Sequence, residues 1–179
     1  MAAPSELIKA IGQAIVDALR PRGTSSRPRR RTPAPPRRTS PNTTGPRYPG
    51  DFTGRPTLTY DPHPGPLPDP GEVVWTWVPY EEDHSQGKDR PVLIIGRDHD
   101  WLLGLPMSSK DHDRDAAQEA SEGRYWVEVG RGPWDSSGRA SEVRVNRILR
   151  VDPHGVRRVA ARLDKPRFDK VAAGVRRHW

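Results

Sequence analysis

The chain has 179 residues, of which 30 are Lys or Arg and 23 are Asp or Glu, and 32% are hydrophobic. This length and composition fit one compact domain and exclude two large ones. The chain contains no cysteine, which excludes disulfides, thiolate nucleophiles and cysteine-bound metal sites. No apolar run reaches the roughly 18 residues of a membrane span, and no signal-peptide pattern is found, so we expect a soluble, cytoplasmic protein.

Positive charge and proline are concentrated in the first 70 residues. This segment holds 11 basic and 5 acidic side chains and 15 of the 21 prolines, whereas residues 71–179 hold 19 basic and 18 acidic side chains. Such a proline density does not support a packed core or a sheet. We therefore predict an amphipathic helix over 1–20, a disordered basic linker rich in Pro and Arg over 21–70, and a globular domain over 71–179.

The predicted N-terminal helix follows Ser5 as its N-cap and ends before Pro21. Its apolar residues recur at helical spacing: Leu7, Ile8, Ile11, Ile15 and Leu19. A helix of about 16 residues is marginal alone in water. The sequence leaves open whether it docks on the globular domain, pairs with another chain or frays, and whether helix and linker form an inhibitory or partner-docking arm.

Residues beyond Pro70 form short β-patterned runs separated by turn residues, which is typical of a small all-β barrel or sandwich. Glu72–Val78 is rich in β-branched and aromatic residues and predicts the first strand. The continuous apolar run Pro91–Gly96 predicts a central strand buried on both faces. Asp98-His99-Asp100 predicts a tight hairpin into the next strand, and alternation over 124–129 predicts another.

The last long strand changes face partway along. Val143 and Val145 share one face, whereas Ile148 and Val151 have the opposite parity. We therefore predict a bulge or bend near Asn146-Arg147, as closure of a small barrel requires.

Two segments predict helix. Apolar residues recur at helical spacing at the C-terminus, at Val156, Val159 and Leu163 and again from Phe168 onward. The acidic stretch 110–123 predicts a solvated helix start rather than a calcium loop, because Ala116 stands where that loop needs glycine. The predicted fold class is mainly β, a β-barrel with a C-terminal helix that covers one end.

Four motifs occur in this domain in a defined order: PGEVVW at 70–75, GKDRPVLII at 87–95, LPMSS at 105–109 and VNRILRVD at 145–152. Together with the helical tail they resemble the PemK/MazF toxin family over about residues 70–178. The resemblance implies an SH3-like barrel, usually a homodimer. It further implies a toxin-type endoribonuclease that cleaves single-stranded RNA without a metal or other cofactor and is neutralised by an antitoxin.

The resemblance also implies that Arg90 and Ser108 are the catalytic residues. A guanidinium matches phosphate oxygens and stays charged, which suits Arg90 to stabilising a phosphorane. The Ser108 hydroxyl can donate and accept hydrogen bonds. The residues by themselves leave two alternatives, an ion pair of Arg90 with Asp89 and a turn-capping role for Ser108-Ser109.

Further candidate residues come from their chemistry and position. His112 is a candidate general acid or base because histidine titrates near neutral pH, and His84 has a similar status. The loop Tyr80–Asp89 is polar and precedes Arg90, so we expect it to act as a lid over bound RNA. The predicted RNA-binding residues are Gln86, Lys88, Ser109, Arg144, Arg147 and Trp134, the last as the tryptophan most expected to be exposed for base stacking.

Two functional hypotheses follow. The first is the endoribonuclease, with the basic N-terminal segment adding sequence-independent affinity for RNA. The alternative is a non-catalytic SH3-like module that binds RNA, DNA or a peptide, since the fold permits either.

Overall fold

The computed structural model describes residues 47–109 and 116–179, and these residues form seven strands and two helices. The elements are β1 (Glu72–Pro79), β2 (Gly87–Asp98), β3 (Trp101–Ser108), α1 (Ala116–Ser121), β4 (Trp126–Gly130), β5 (Ser141–Arg144), β6 (Leu149–Val151), β7 (Arg158–Arg162) and α2 (Lys165–Val175). Neither helix of this part of the chain has the length and apolar character needed to cross a bilayer.

The strands form one antiparallel sheet in the order β4-β5-β3-β2-β1-β7, and β6 also pairs with β3. β2 lies between β1 and β3, and its residues 92–96 are buried, which confirms the predicted central strand. The predicted hairpin is also confirmed, because Asp98 pairs with Trp101 across a two-residue turn. In that turn His99 adopts the left-handed conformation, with φ of 55°.

β5 and β6 lie one after the other along the same edge of β3. Met107 pairs with Val143 in β5, and Gly104 pairs with Leu149 in β6. Between these two pairs β3 advances by three residues, whereas the segment that pairs with it advances by six, from Val143 to Leu149. The extra residues form a bend over 145–147. The bend predicted from the change of parity is confirmed at this place.

The core lies on both faces of the sheet. Val73, Leu93 and Leu105 are paired across the three central strands and belong to the larger cluster, which Phe168 and Val171 of α2 cover. The residues next to them along the strands point to the opposite face, where Val74, Val92, Ile94, Leu102 and Leu149 form a second cluster. Two-sided burial explains why the central strand reads as a continuous apolar run.

The segment over 158–162 is a strand and not the helix that apolar spacing predicts. β7 pairs with β1, where Glu72 faces Arg162 and Trp75 faces Arg158. A register shift between Val73 and Val74 interrupts this ladder, so the short strand does not alternate cleanly between apolar and polar residues. The helix begins only at Lys165, after the side chain of Asp164 caps it.

Residues 47–70 pack on the sheet, although their composition predicts disorder. The Phe52 N–H donates to the Ile148 carbonyl at 2.8 Å. The Phe52 and Tyr60 rings pack against the larger core cluster, and the Tyr60 hydroxyl donates to the Leu163 carbonyl at 2.8 Å. Proline favours extended backbone, so a few aromatic anchors and isolated hydrogen bonds hold this stretch without a continuous ladder.

The mainly β class with a C-terminal helix is confirmed by the sheet and α2. A helix is present in the acidic stretch, where α1 spans Ala116–Ser121. The predicted helix over 1–20 and the linker over 21–46 lie outside the described residues. The description as an SH3-like barrel stays a prediction.

Candidate active site

A cleft of about 800 Å³ lies where β2 begins and β3 ends, and residues from the β1–β2 loop, β4 and β5 complete its wall. Arg90 and Ser108 both line it. The sequence could not establish that these two residues meet, because they belong to different strands. The structure places them in the same cleft.

The strand register explains the convergence of Arg90 and Ser108. Val92 pairs with Pro106 at the end of the β2–β3 ladder. Arg90 lies two residues before Val92, and Ser108 lies two residues after Pro106, so both project from the same face of the sheet. Ser108 also pairs with Glu142 in β5, which fixes the end of β3 at the cleft.

Arg90 is half-buried, and burial lowers the pKa of its guanidinium. The positive charge of Arg147 lowers it further, whereas Tyr80 acts in the opposite direction. The alternative Arg90–Asp89 ion pair is wrong, because the Asp89 carboxylate pairs with Arg157 at 2.7 Å instead. Among the described residues, no carboxylate forms an ion pair with Arg90, so its donors remain available to a phosphate.

Lys88 lines the cleft two residues before Arg90 and projects from the same face of β2. The charge of Arg90 lowers the pKa of the Lys88 ammonium, and partial burial adds to the effect. Lys88 and Arg90 thus place two neighbouring positive charges in the cleft wall. Such charges attract the phosphates of a nucleic acid.

Arg144 also lines the cleft, and its guanidinium is bound on two sides. Glu81, in the β1–β2 loop, accepts hydrogen bonds from Nη1 and Nη2 at 2.7 and 3.0 Å. Asn146 Oδ1 accepts from Nε at 3.3 Å. The loop that was predicted to act as a lid is thus connected to β5 through an ion pair.

Arg147 lines the cleft from the bend between β5 and β6, and only 9% of the residue is exposed. Its Nε donates to Asp51 Oδ2 at 2.8 Å, and its Nη2 donates to the Pro79 carbonyl at 2.9 Å. The bend takes Arg147 out of the regular ladder, which turns its side chain toward the end of β1.

The expectation that Trp134 is exposed for base stacking is wrong, because only 1% of this residue is exposed. Its Nε1 donates to Ser141 Oγ at 3.1 Å, and its carbonyl accepts from Trp75 Nε1 at 3.1 Å. The ring packs over Gly132, where a Cβ would lie 2.2 Å from a ring carbon. The glycine in the predicted turn therefore makes room for a buried indole, not for an exposed one.

The remaining candidate residues have different positions. Ser109 lines the cleft and forms a hydrogen bond with Asp135. Burial by itself raises the pKa of Asp135. Hydrogen bonds from the Ser137 N–H, Arg139 and Ser109 have the larger combined effect, so the pKa is lowered overall. Gln86 lies outside the cleft wall, where its Nε2 donates to Asp83 Oδ2 at 2.7 Å. His112 lies outside the described residues.

Sequence reasoning missed a buried carboxylate at the cleft, Glu119 of α1. It accepts hydrogen bonds from Arg124 Nε at 2.6 Å and from Trp126 Nε1 at 2.9 Å. Trp126 belongs to β4, pairs with Arg144 and lines the cleft. The only available signal was the unexpected length of the acidic stretch, because the spacing of these residues matches no motif.

The cleft thus combines several cationic side chains with a hydroxyl group at the meeting point of three strands. Arg90, Arg144 and Arg147 carry planar guanidinium groups that suit phosphate oxygens. Within residues 47–109 and 116–179, no group of three or more His, Asp or Glu side chains is arranged to hold a metal ion.

Comparisons with known proteins give the family of the chain. Residues 69–178 match the family described as PemK-like, MazF-like toxin of type II toxin-antitoxin system. A solved structure of MazE-MazF (Form-II) from Deinococcus radiodurans is similar, at 18% identity and a TM-score of 0.42, with 61% of this chain and 92% of that chain covered. A search of curated proteins finds no match. Since the family match spans more than half of the residues, the chain belongs to the PemK-like, MazF-like toxin family.

Proposed function

We propose that the protein is an endoribonuclease that cleaves single-stranded RNA without a metal ion. Membership of the PemK/MazF family, whose members are endoribonucleases, supports this reaction class. The observation that carries the proposal is the shared cleft of Arg90 and Ser108, with Arg90 half-buried and not bound by a carboxylate among the described residues.

In the proposed reaction, the ribose 2′-oxygen attacks the neighbouring phosphorus and loses its proton. The bond from phosphorus to the 5′-oxygen breaks, and that oxygen gains a proton, so the products are a 2′,3′-cyclic phosphate and a 5′-hydroxyl end. Negative charge accumulates on the phosphorane oxygens in between. The Arg90 guanidinium stabilises this charge, and the Ser108 hydroxyl assists by hydrogen bonding to a phosphate oxygen or to the attacking hydroxyl.

We further infer that the protein acts as a homodimer in the cytoplasm and that an antitoxin protein neutralises it. The description of the family as toxins of type II toxin-antitoxin systems supports the antitoxin. Lys88, Arg144 and Arg147 extend the positive wall of the cleft beyond Arg90 and would bind flanking phosphates of the RNA.

The test is cleavage of a long single-stranded RNA in EDTA, with mapping of the product ends. Wild type should give discrete cuts with 5′-hydroxyl ends, and Arg90→Ala and Ser108→Ala should abolish them. Arg97→Ala is the matched control, because Arg97 pairs with Asp69 at 2.9 Å and does not line the cleft. RNA binding with no cutting by any variant would instead support the non-catalytic binding module.

A further inference from the structure

A short segment before the family-matched region, Tyr48–Phe52, is fastened to the bend between β5 and β6. The Phe52 N–H donates to the Ile148 carbonyl at 2.8 Å. Arg150 Nη1 donates to two carbonyl oxygens of the segment, at 3.2 and 3.1 Å. The Arg150 guanidinium also lies over the Phe52 ring, 5.2 Å from its centroid. These contacts give the segment a defined position beside β6.

The segment places a carboxylate against a guanidinium of the cleft. Asp51 Oδ2 accepts from Arg147 Nε at 2.8 Å, and Oδ1 lies 3.5 Å from Arg147 Nη2. The Asp51 side chain is 23% exposed and that of Arg147 is 9% exposed. Because little of this ion pair is exposed to water, it orients the Arg147 guanidinium more strongly than a solvent-exposed ion pair would.

The geometry of this pair leaves Arg147, although it is 9% exposed, in the wall of the cleft. Arg147 lines the cleft, whereas Asp51 is not among the described residues that line it. The carboxylate therefore contacts the guanidinium from outside the cleft. A planar guanidinium has five N–H donors, and the bonds to Asp51 and Pro79 do not use all of them.

Arg147 needs such a partner because it lies near a second cation. Both arginines line the same cleft, and the positive charge of Arg147 adds to burial in lowering the pKa of Arg90. Without a fixed anion, two like charges on flexible side chains move apart. The Asp51 carboxylate offsets the repulsion and holds Arg147 in place.

Asp51 is itself held by Tyr48. The Tyr48 hydroxyl donates to Asp51 Oδ1, and burial together with this contact raises the pKa of Tyr48. The Tyr48 ring packs edge-on against His84 of the β1–β2 loop, with 5.1 Å between centroids. The carboxylate is thus fixed from both oxygens, as expected for a residue that orients another side chain.

We propose that Asp51 is a positioning residue for the cleft. Its carboxylate holds the Arg147 guanidinium beside Arg90, so that both arginines can bind one phosphate of single-stranded RNA. The proposal rests on the proposed function and adds to it a residue outside the family-matched region 69–178. It makes the segment Tyr48–Phe52 part of the working site, not a passive linker.

The test is a double-mutant cycle in the full-length chain with Asp51→Asn and Arg147→Ala, using a single-stranded RNA that the wild type cuts. Asp51→Asn should lower kcat/KM at least about tenfold, because small displacements of a phosphate-binding group have effects of this size or larger. In the Arg147→Ala background, Asp51→Asn should change kcat/KM less than about twofold, since residues that act through one another are not additive.

Asp69→Asn is the matched control for loss of a paired carboxylate away from the cleft. Asp69 pairs with Arg97 at 2.9 Å, and its side chain is 26% exposed, close to the value for Asp51. It should leave kcat/KM unchanged. Asp51→Glu keeps the charge and should restore part of the activity that Asp51→Asn loses, whereas a role limited to folding would give equal losses in both Arg147 backgrounds.

Two results would overturn the proposal. Additive losses would show that Asp51 does not act through Arg147, and higher activity of Asp51→Asn would show that Asp51 competes with RNA for Arg147. If the wild type cuts no RNA, the proposed function fails. The same variants are then compared by their affinity for a 2′-deoxy single strand. Additive losses of affinity again overturn the positioning role, and non-additive losses support it.

Discussion

Glu81 binds Arg144 through both carboxylate oxygens, at 2.7 and 3.0 Å, across the mouth of the cleft. The two side chains differ in environment, because Glu81 is 49% exposed whereas Arg144 is 10% exposed. The nearly buried arginine thus has a half-exposed acid from the β1–β2 loop as its partner. A phosphate that enters the cleft competes with this acid for the same guanidinium donors.

We expect Glu81→Gln to tighten binding of RNA to the cleft. The substitution removes the competing charge, so that Arg144 is free to bind a phosphate. The logarithm of the affinity for a non-cleavable 2′-deoxy single strand should then fall more steeply with the logarithm of salt concentration, by about 0.7 for one added phosphate contact. Binding measured by fluorescence anisotropy at several salt concentrations checks this.

Glu82→Gln is the matched control, because Glu82 lies in the same loop, lines the cleft and carries the same charge. Release of Arg144 is specific to Glu81, so Glu82→Gln should leave the salt slope unchanged. Equal steepening in both variants would mean that only the net charge of the loop matters.

Lys88→Gln should raise stability and lower RNA affinity. The charge of Arg90 lowers the pKa of Lys88 from 10.5, so at neutral pH the folded state contains a repulsion that the unfolded state lacks. Removal of the ammonium should raise the free energy of unfolding by no more than about 0.5 kcal/mol, because Lys88 is exposed and water screens its charge.

The gain in stability from Lys88→Gln should depend on pH, and the lowered pKa of Lys88 determines the direction of this dependence. Between the lowered pKa and 10.5, the unfolded state binds more protons than the folded state, so wild-type stability rises with pH in this window relative to Lys88→Gln. The advantage of Lys88→Gln should therefore be full at pH 7 and vanish above 10.5, as measured by urea denaturation. Lys165→Gln should give no such gain, because Lys165 pairs with Asp169 at 2.6 Å.

The sequence predicted the parts of the fold that depend on local pattern. The parity change after Val145 predicted the bend that places Arg147 in the cleft, and the apolar run before Gly96 predicted the central strand. β7 was predicted as helix, because a register shift in its short ladder removes the alternation of apolar residues. In such a strand, pairing with a neighbour overrides the local pattern.

The sequence predicted the site mainly through the residues that belong to its motifs. Arg90 and Ser108 line one cleft, but the acids that hold the other arginines come from distant segments. Asp51 contacts Arg147 across 96 residues, from a stretch whose prolines suggest disorder. Contacts of this kind depend on the tertiary fold and correspond to no recognisable spacing of residues in the sequence.

Glu119→Gln should destabilise the protein by about 1–3 kcal/mol, the cost of losing hydrogen bonds to a buried charged group. Oε2 accepts from Arg124 Nε and from the Trp126 indole, and Oε1 accepts from Arg124 Nη2. An amide whose oxygen takes the place of Oε2 therefore turns its NH2 group toward the Arg124 Nη2 donor. Glu122→Gln should cost less than about 1 kcal/mol, because Glu122 pairs with the same arginine at the surface. Urea denaturation of both variants gives the comparison, and equal losses would contradict a buried role for Glu119.

Trp134 should support the fold and contribute nothing to stacking on RNA. Trp134→Ala should destabilise by about 3–5 kcal/mol through the cavity it leaves. Trp134→Phe should cost less, about 1–3 kcal/mol, because buried Ser141 loses its partner and the smaller ring fills less of the site. Gly132→Ala should be as damaging as Trp134→Ala, since the added Cβ would lie 2.2 Å from the indole ring. Trp134→Phe keeps the fold and an aromatic ring, so its affinity for a 2′-deoxy single strand should equal that of wild type. A clear loss of affinity in folded Trp134→Phe, measured at a temperature well below its unfolding transition, would show that the indole reaches the RNA after all.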